Sequence, residues 1–171
     1  MADFDQAFEI MMRNEGGYTL HQVAGDRGGQ TYAGIARHFN PGWRGWVLID
    51  QQGVDSPMLS QAVRDFYAVE FWQRISGDQV ESQPVANSIF DFAVNAGVKT
   101  VSKLVQVVVG STPDGVIGAK TIARINTTDS EKFILKFSLA KVARYAQICN
   151  RDRSQRKFLL GWMNRTIAGL S

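Results

Sequence analysis

The chain has 171 residues, is 44% hydrophobic and 20% charged, and carries a formal net charge of +3. That length holds one compact core, or one core with a small appended lobe. A single cysteine (Cys149) and two histidines (His21 and His38) exclude a disulfide framework and a multi-cysteine zinc site, and no run of roughly 18 apolar residues offers a membrane span.

The opening Met1-Ala2-Asp3-Phe4-Asp5 is acidic and has neither a basic n-region nor an apolar h-region, so no conventional secretory signal is expected. Phe4, Ala7, Phe8, Met11 and Met12 then recur at helical spacing. Gly16-Gly17 stops that helix, which puts Glu15 in its last turn. The carbonyl end of a helix disfavours a carboxylate, so Glu15 has a reason to keep its proton near neutral pH, as a general acid must. An exposed terminal glutamate before a turn is the plain alternative.

From Tyr18 to Arg37 the chain is rich in glycine and polar residues, with turn signals at Gly25-Asp26 and Gly28-Gly29. It reads as irregular chain or a small hairpin. Trp43, Trp46 and Val47 form an apolar cluster, either a short helix on the core or the wall of a groove. Asp55-Ser56-Pro57 reads as a capped helix start, and the helical period continues from Leu59 to about Ile75. Pro84 opens a helix that is apolar nearly all round, which predicts a central position. Asp91 and Asn95 form its polar stripe, four residues apart. Such a stripe either satisfies backbone groups of a neighbouring helix end or lines a site.

Val98 to Val109 has helical spacing, with a strand as the minor alternative for its β-branched run. Ser111 to Gly115 is a loop, Gly118 to Ile125 a short helix, and Thr127 to Ser130 caps a long one. Asn150-Arg151-Asp152 breaks it, and a last amphipathic helix carries Phe158, Leu159, Trp162 and Met163. Basic residues gather late, at Arg144, Arg151, Arg153, Arg156, Lys157 and Arg165. A basic face suits nucleic acid, an anionic membrane or an acidic polymer such as cell wall, or is only solvated surface. No helix-turn-helix or base-stacking pattern supports nucleic acid.

Glu15-Gly16-Gly17-Tyr18 resembles the signature of glycoside hydrolase family 108, the N-acetylmuramidases with a lysozyme-like fold whose members are often labelled secretion activator proteins. Gly28 to Ile35 is similar to that family's Gly-Gly-x-Thr-Asn-Tyr-Gly-Ile segment, with Tyr32 where the family usually has Asn and Ala36 where it often has Thr. The resemblance continues in Phe90 to Gly97. Asp114 to Thr121 looks like the core of a helical peptidoglycan-binding module, and Phe158 to Arg165 resembles the family's closing segment.

The resemblance implies a mainly α, lysozyme-like fold with a small irregular or β-hairpin segment between the first helices. It implies a catalytic lobe over 1–96 and a helical peptidoglycan-binding-like lobe over 97–171. The expected chemistry is cleavage of the β-1,4 bond between N-acetylmuramic acid and N-acetylglucosamine, as in a phage-type endolysin or an autolysin, with no cofactor and no metal. Glu15 is the expected acid, with Asp26 across a groove and Thr31 positioning a water. Water held on the far face of the sugar would make the reaction inverting. Tyr18, Tyr32, Asp91 and Asn95 are the expected substrate contacts. The expected partner is the peptidoglycan glycan strand, with no nucleic acid and no stable membrane insertion. The chain would be made in a bacterial or phage-infected cytoplasm and reach the wall after release or export. A non-catalytic wall-binding or secretion-associated protein is the alternative.

Overall fold

Apolar residues at helical spacing become eight α-helices in the computed structural model, which describes residues 1–14, 16–22 and 29–170. The first, α1 (Phe4–Asn14), buries Ala7, Phe8, Met11 and Met12. Three short strands follow: β1 (Leu20–Gln22), β2 (Gln30–Tyr32) and β3 (Ile35–Ala36), antiparallel in that order. His21 and Ala36 pair with Thr31 from either side, and Tyr32 pairs with Leu20 and Ile35.

The turn between β2 and β3 is Ala33-Gly34, both at positive φ (47° and 79°), as a tight hairpin requires. A non-glycine residue there needs support from its surroundings. Ala33 has it: the residue is buried, and the Tyr67 hydroxyl donates to its carbonyl at 2.8 Å.

Next come α2 (Arg44–Gln52) and α3 (Leu59–Tyr67). The Asp55-Ser56-Pro57 cap expectation needs correction. No side chain caps α3, and Ser56 Oγ instead donates to Gln52 Oε1 at 2.8 Å, which ties α2 to α3. The single helix expected to reach Ile75 is also divided. It widens to a π-turn over Ala68–Trp72 and tightens to a 3-10 turn over Gln73–Ile75. These shifts in pitch carry Trp72 into the core, where its ring meets Phe4 and Phe90 and its Nε1 donates to Asp78 Oδ1 at 2.7 Å.

A Cβ on Gly77 would lie 2.4 Å from that indole. Gly77→Ala is therefore expected to cost about 1–3 kcal/mol, because a fully packed ring has nowhere to go. Urea unfolding followed by circular dichroism checks this, and an unchanged midpoint would contradict it.

The central helix α4 (Gln83–Ala96) begins with Pro84 in its first turn and packs on α1 and on α5 (Val98–Val108). Then come α6 (Ala119–Thr127), α7 (Ser130–Arg151) and α8 (Leu159–Ala168). Asp129 caps α7, its side chain accepting from the Lys132 backbone N–H. One cluster of buried apolar side chains runs from Ala2 to Tyr145, through α4.

The loop before α6 is held by buried Gln106. Its Nε2 donates to Asp114 Oδ1 (2.6 Å) and to the Val116 carbonyl (2.9 Å), while its Oε1 accepts from Gly115 N (2.9 Å). Gly115 sits at φ 89°. Asp114 and Gly115 of the module-like motif are thus spent on folding their own loop. The Gln106 hydrogen bond, followed by the Val116 backbone N–H, holds the Asp114 carboxyl below its usual range. Gln106→Ala is expected to lose about 1–3 kcal/mol, since the buried Gly115 N–H loses its partner along with the Asp114 and Val116 contacts. A loss under about 0.5 kcal/mol in denaturant unfolding would contradict this.

Candidate functional site

Glu15 and Asp26 lie outside the described residues. The positions around them are described. α1 ends at Asn14, whose Nδ2 donates to Asp91 Oδ1 at 3.3 Å. The residue just before Glu15 is therefore tied to α4. Asp91 also receives Arg165 of α8, Nη2 to Oδ1 at 3.0 Å and Nε to Oδ2 at 3.3 Å. With Asp91 only 20% exposed, this pair is shielded from water on most sides. Asp91 thus joins the ends of α1, α4 and α8. Asn95, one turn on, is exposed and donates to the Asp91 carbonyl at 2.7 Å.

Asp91 and Asn95 both line a cavity of about 270 Å³ between α4, α7 and α8, with Lys141, Arg144, Trp162 and Arg165. The stripe does not satisfy backbone groups of a neighbouring helix end: Asp91 meets side chains of α1 and α8, Asn95 donates within its own helix, and the pair lines a concavity. Ala96 borders this cavity and also a second one of about 430 Å³, walled by Gly34 of the hairpin, Tyr67, Glu70 and Gly97. Glu70 and Phe66 in turn border a third of about 500 Å³ over Trp43. Three concavities therefore succeed one another across the end of α4 and past the hairpin. This form suits an extended ligand better than a compact one.

Thr31 lies at the centre of the small sheet. Side chains alternate along a strand, so its face is opposite that of buried Tyr32. Tyr32 is 4% exposed and its ring stacks on Trp43, with centroids 6.3 Å apart. That ring belongs to the core. Tyr18 is exposed, and none of the three cavities includes it.

Lys141 was missed from the sequence. It is buried, with its ammonium 4.5 Å from the centroid of the Phe137 ring and 5.2 Å from that of Phe92; it donates to Ser88 Oγ at 3.2 Å. Burial pushes its pKa down to about 8. The Asp91 charge opposes that shift and Arg165 adds to it. A signal was present: Phe133, Phe137, Lys141, Tyr145 and Cys149 follow one another at four-residue steps and all are buried. A lysine inside an apolar stripe stands out once the stripe is written down. Burial also raises the Tyr145 phenol.

Comparison with known proteins gives the family. The model described as glycosyl hydrolase 108 matches residues 8–97, and the one described as a predicted peptidoglycan domain matches residues 100–167. Among solved structures, that of Brucella abortus SagA superposes with a TM-score of 0.63 at 24% identity, covering 98% of this chain and 95% of that one. This likeness carries the mainly α, lysozyme-like fold. No match is found among curated proteins. The two matched domains support a function tied to peptidoglycan. Among the described residues no helix is long and apolar enough to cross a membrane. With one family model spanning more than half of its length, the chain belongs to the glycosyl hydrolase 108 family.

Proposed function

We propose that the chain is an N-acetylmuramidase that cleaves the β-1,4 bond between N-acetylmuramic acid and N-acetylglucosamine in peptidoglycan. The observation that carries this reading is the row of concavities across the end of α4 and past the hairpin, within a family match that spans Glu15, Asp26 and Thr31. Glycosidic cleavage needs a proton for the leaving oxygen and stabilisation of an oxocarbenium-like centre. Glu15 gives the proton, and Asp26 with Thr31 orients the attacking water. Asp91 and Asn95 bound the trough at its end between α4, α7 and α8, and Tyr18 meets the strand at its rim. Tyr32, with its ring in the core, is assigned no sugar contact. The activity fits a phage-type endolysin or an autolysin that acts on the wall after release or export.

Digestion of purified peptidoglycan, with mass spectrometry of the fragments, tests the reading. Fragments ending in reducing N-acetylmuramic acid are expected. Fragments with another reducing end would identify a different glycosidase. Retention on insoluble peptidoglycan without any release of fragments would favour a wall-binding or secretion-associated role.

A further inference from the structure

The cavity between α4, α7 and α8 carries charge for which a glycan strand has no use. Among the described residues, Lys141, Arg144 and Arg165 line it against a single carboxylate, Asp91, and that carboxylate is already taken by Arg165 and Asn14. The alternating sugars of peptidoglycan are uncharged wherever the lactyl group is amide-linked to a stem peptide. The stem peptides carry the carboxylates. At about 270 Å³ the cavity falls just under the roughly 300–1,000 Å³ of pockets that take a whole drug-sized ligand, so its size suits a short branch rather than a disaccharide.

Its chemistry is divided in the way an amino-acid branch requires. Lys141, Arg144, Tyr145 and Ile148 are spaced three and four apart on α7 and share one face, with Phe92 and Trp162 opposite. Ammonium and guanidinium groups thus stand beside apolar rings. Lys141 has three donors, and among the described residues its only hydrogen bond is to Ser88 Oγ. A buried ammonium is costly until an anion stands beside it.

We propose that this cavity is a carboxylate subsite, in which Lys141 and Arg144 hold a free carboxylate of a peptidoglycan stem peptide while the glycan lies in the adjoining trough. The inference rests on peptidoglycan as the partner and not on catalysis. The stem carboxylate accepts charge-assisted hydrogen bonds from both cations, and its α-carbon substituents lie on Phe92, Ile148 and Trp162. Asp91, held by Arg165, screens part of the positive field and keeps the subsite from closing on its own counter-charge.

The test is binding to the Glu15→Gln chain, which separates recognition from cleavage. The probes are N-acetylmuramoyl-L-alanyl-D-glutamate and its diamide, titrated by calorimetry. The diacid is expected to bind about tenfold more tightly or better, as one charge-assisted contact supplies. Arg144→Gln and Lys141→Met in the same background are each expected to bring the ratio close to one. Arg144 is half-buried at the surface, so its variant decides the matter should Lys141→Met fail to fold.

Affinity for the diacid is also expected to fall between pH 7 and pH 9.5 as Lys141 loses its proton, and to stay flat in Lys141→Met. The charged and titratable groups facing Lys141 among the described residues are Asp91 on α4, Arg165 on α8, and Arg144 and Tyr145 on its own helix. Equal binding of diacid and diamide would overturn the proposal. So would saturation of the same residues by glycerol 3-phosphate in preference to the diacid, which would make the cavity a site for phosphate polymers. Failure of wild type to cleave peptidoglycan, with the diacid preference intact, would sink the hydrolase reading alone.

Discussion

Glu15→Gln is expected to lower the release of reducing ends from peptidoglycan by about 100- to 10,000-fold, the range that a lost general acid covers. The substitution keeps the size and shape of the side chain and removes the transferable proton. The leaving sugar oxygen would then depart as an alkoxide, which a neutral amide cannot prevent. Stability is expected to change by no more than about 0.5 kcal/mol, because the replacement is isosteric and adds no charge. The alkaline limb of the pH–rate profile, where wild type loses the proton on Glu15, is expected to vanish with the glutamate, whatever residual rate remains. Two measurements check this together: fragment release across pH for wild type and variant, and their melting temperatures side by side. Retained activity in a folded variant would remove Glu15 from the mechanism. Loss of activity with loss of the fold would leave the acid assignment without support.

Lys141→Met is expected to stabilise the protein at neutral pH. Burial holds the Lys141 pKa at about 8, against 10.5 for an ordinary lysine. Below pH 8 the residue is protonated in both the folded and the unfolded chain, and the folded state bears the full cost of a buried charge, roughly 3 kcal/mol. From pH 8 to 10.5 the folded chain sheds the proton that the unfolded chain keeps, so this residue's contribution to stability rises with pH. Above 10.5 both are neutral and the cost is gone.

Methionine fills a similar volume without the charge. It forfeits the contacts of the ammonium with the Phe92 and Phe137 rings, on the order of 1–2 kcal/mol. The net gain at pH 7 is expected to be about 1–2 kcal/mol, a few degrees in melting temperature for a chain of this size. It should shrink toward zero or below by pH 10.5 as wild type recovers. Taking the difference between variant and wild type at each pH removes the other titrating groups. A variant less stable than wild type at pH 7 would mean that the ring contacts and the Ser88 hydrogen bond outweigh the buried charge. A stabilised variant that has also lost the preference for a stem carboxylate would show what the costly lysine is kept for.

Local periodicity and turn chemistry were enough to place most helices. Phe4 to Met12, Pro84 to Ala96, Val98 to Val108 and Ser130 to Arg151 each repeat an apolar stripe that only a helix can bury on one side. The Asp129 cap and the small hairpin were legible for the same reason, since each is settled within a few residues. Asp91 and Asn95 could be read as one polar stripe of a buried helix. What that stripe faces was not written in their spacing.

The tertiary structure decided which faces meet. It set Arg165 on Asp91 across 74 positions, gave Tyr32 to Trp43 and sent Ser56 to Gln52 in place of a helix cap. It spent Asp114 on Gln106 and enclosed Lys141 between two phenylalanine rings. A repeat along one helix records that a side is covered, and nothing in it names the covering partner. Burial, charge pairing and the widened turn at Ala68–Trp72 come from the meeting of elements distant in the chain, so they exist only once the chain has closed on itself.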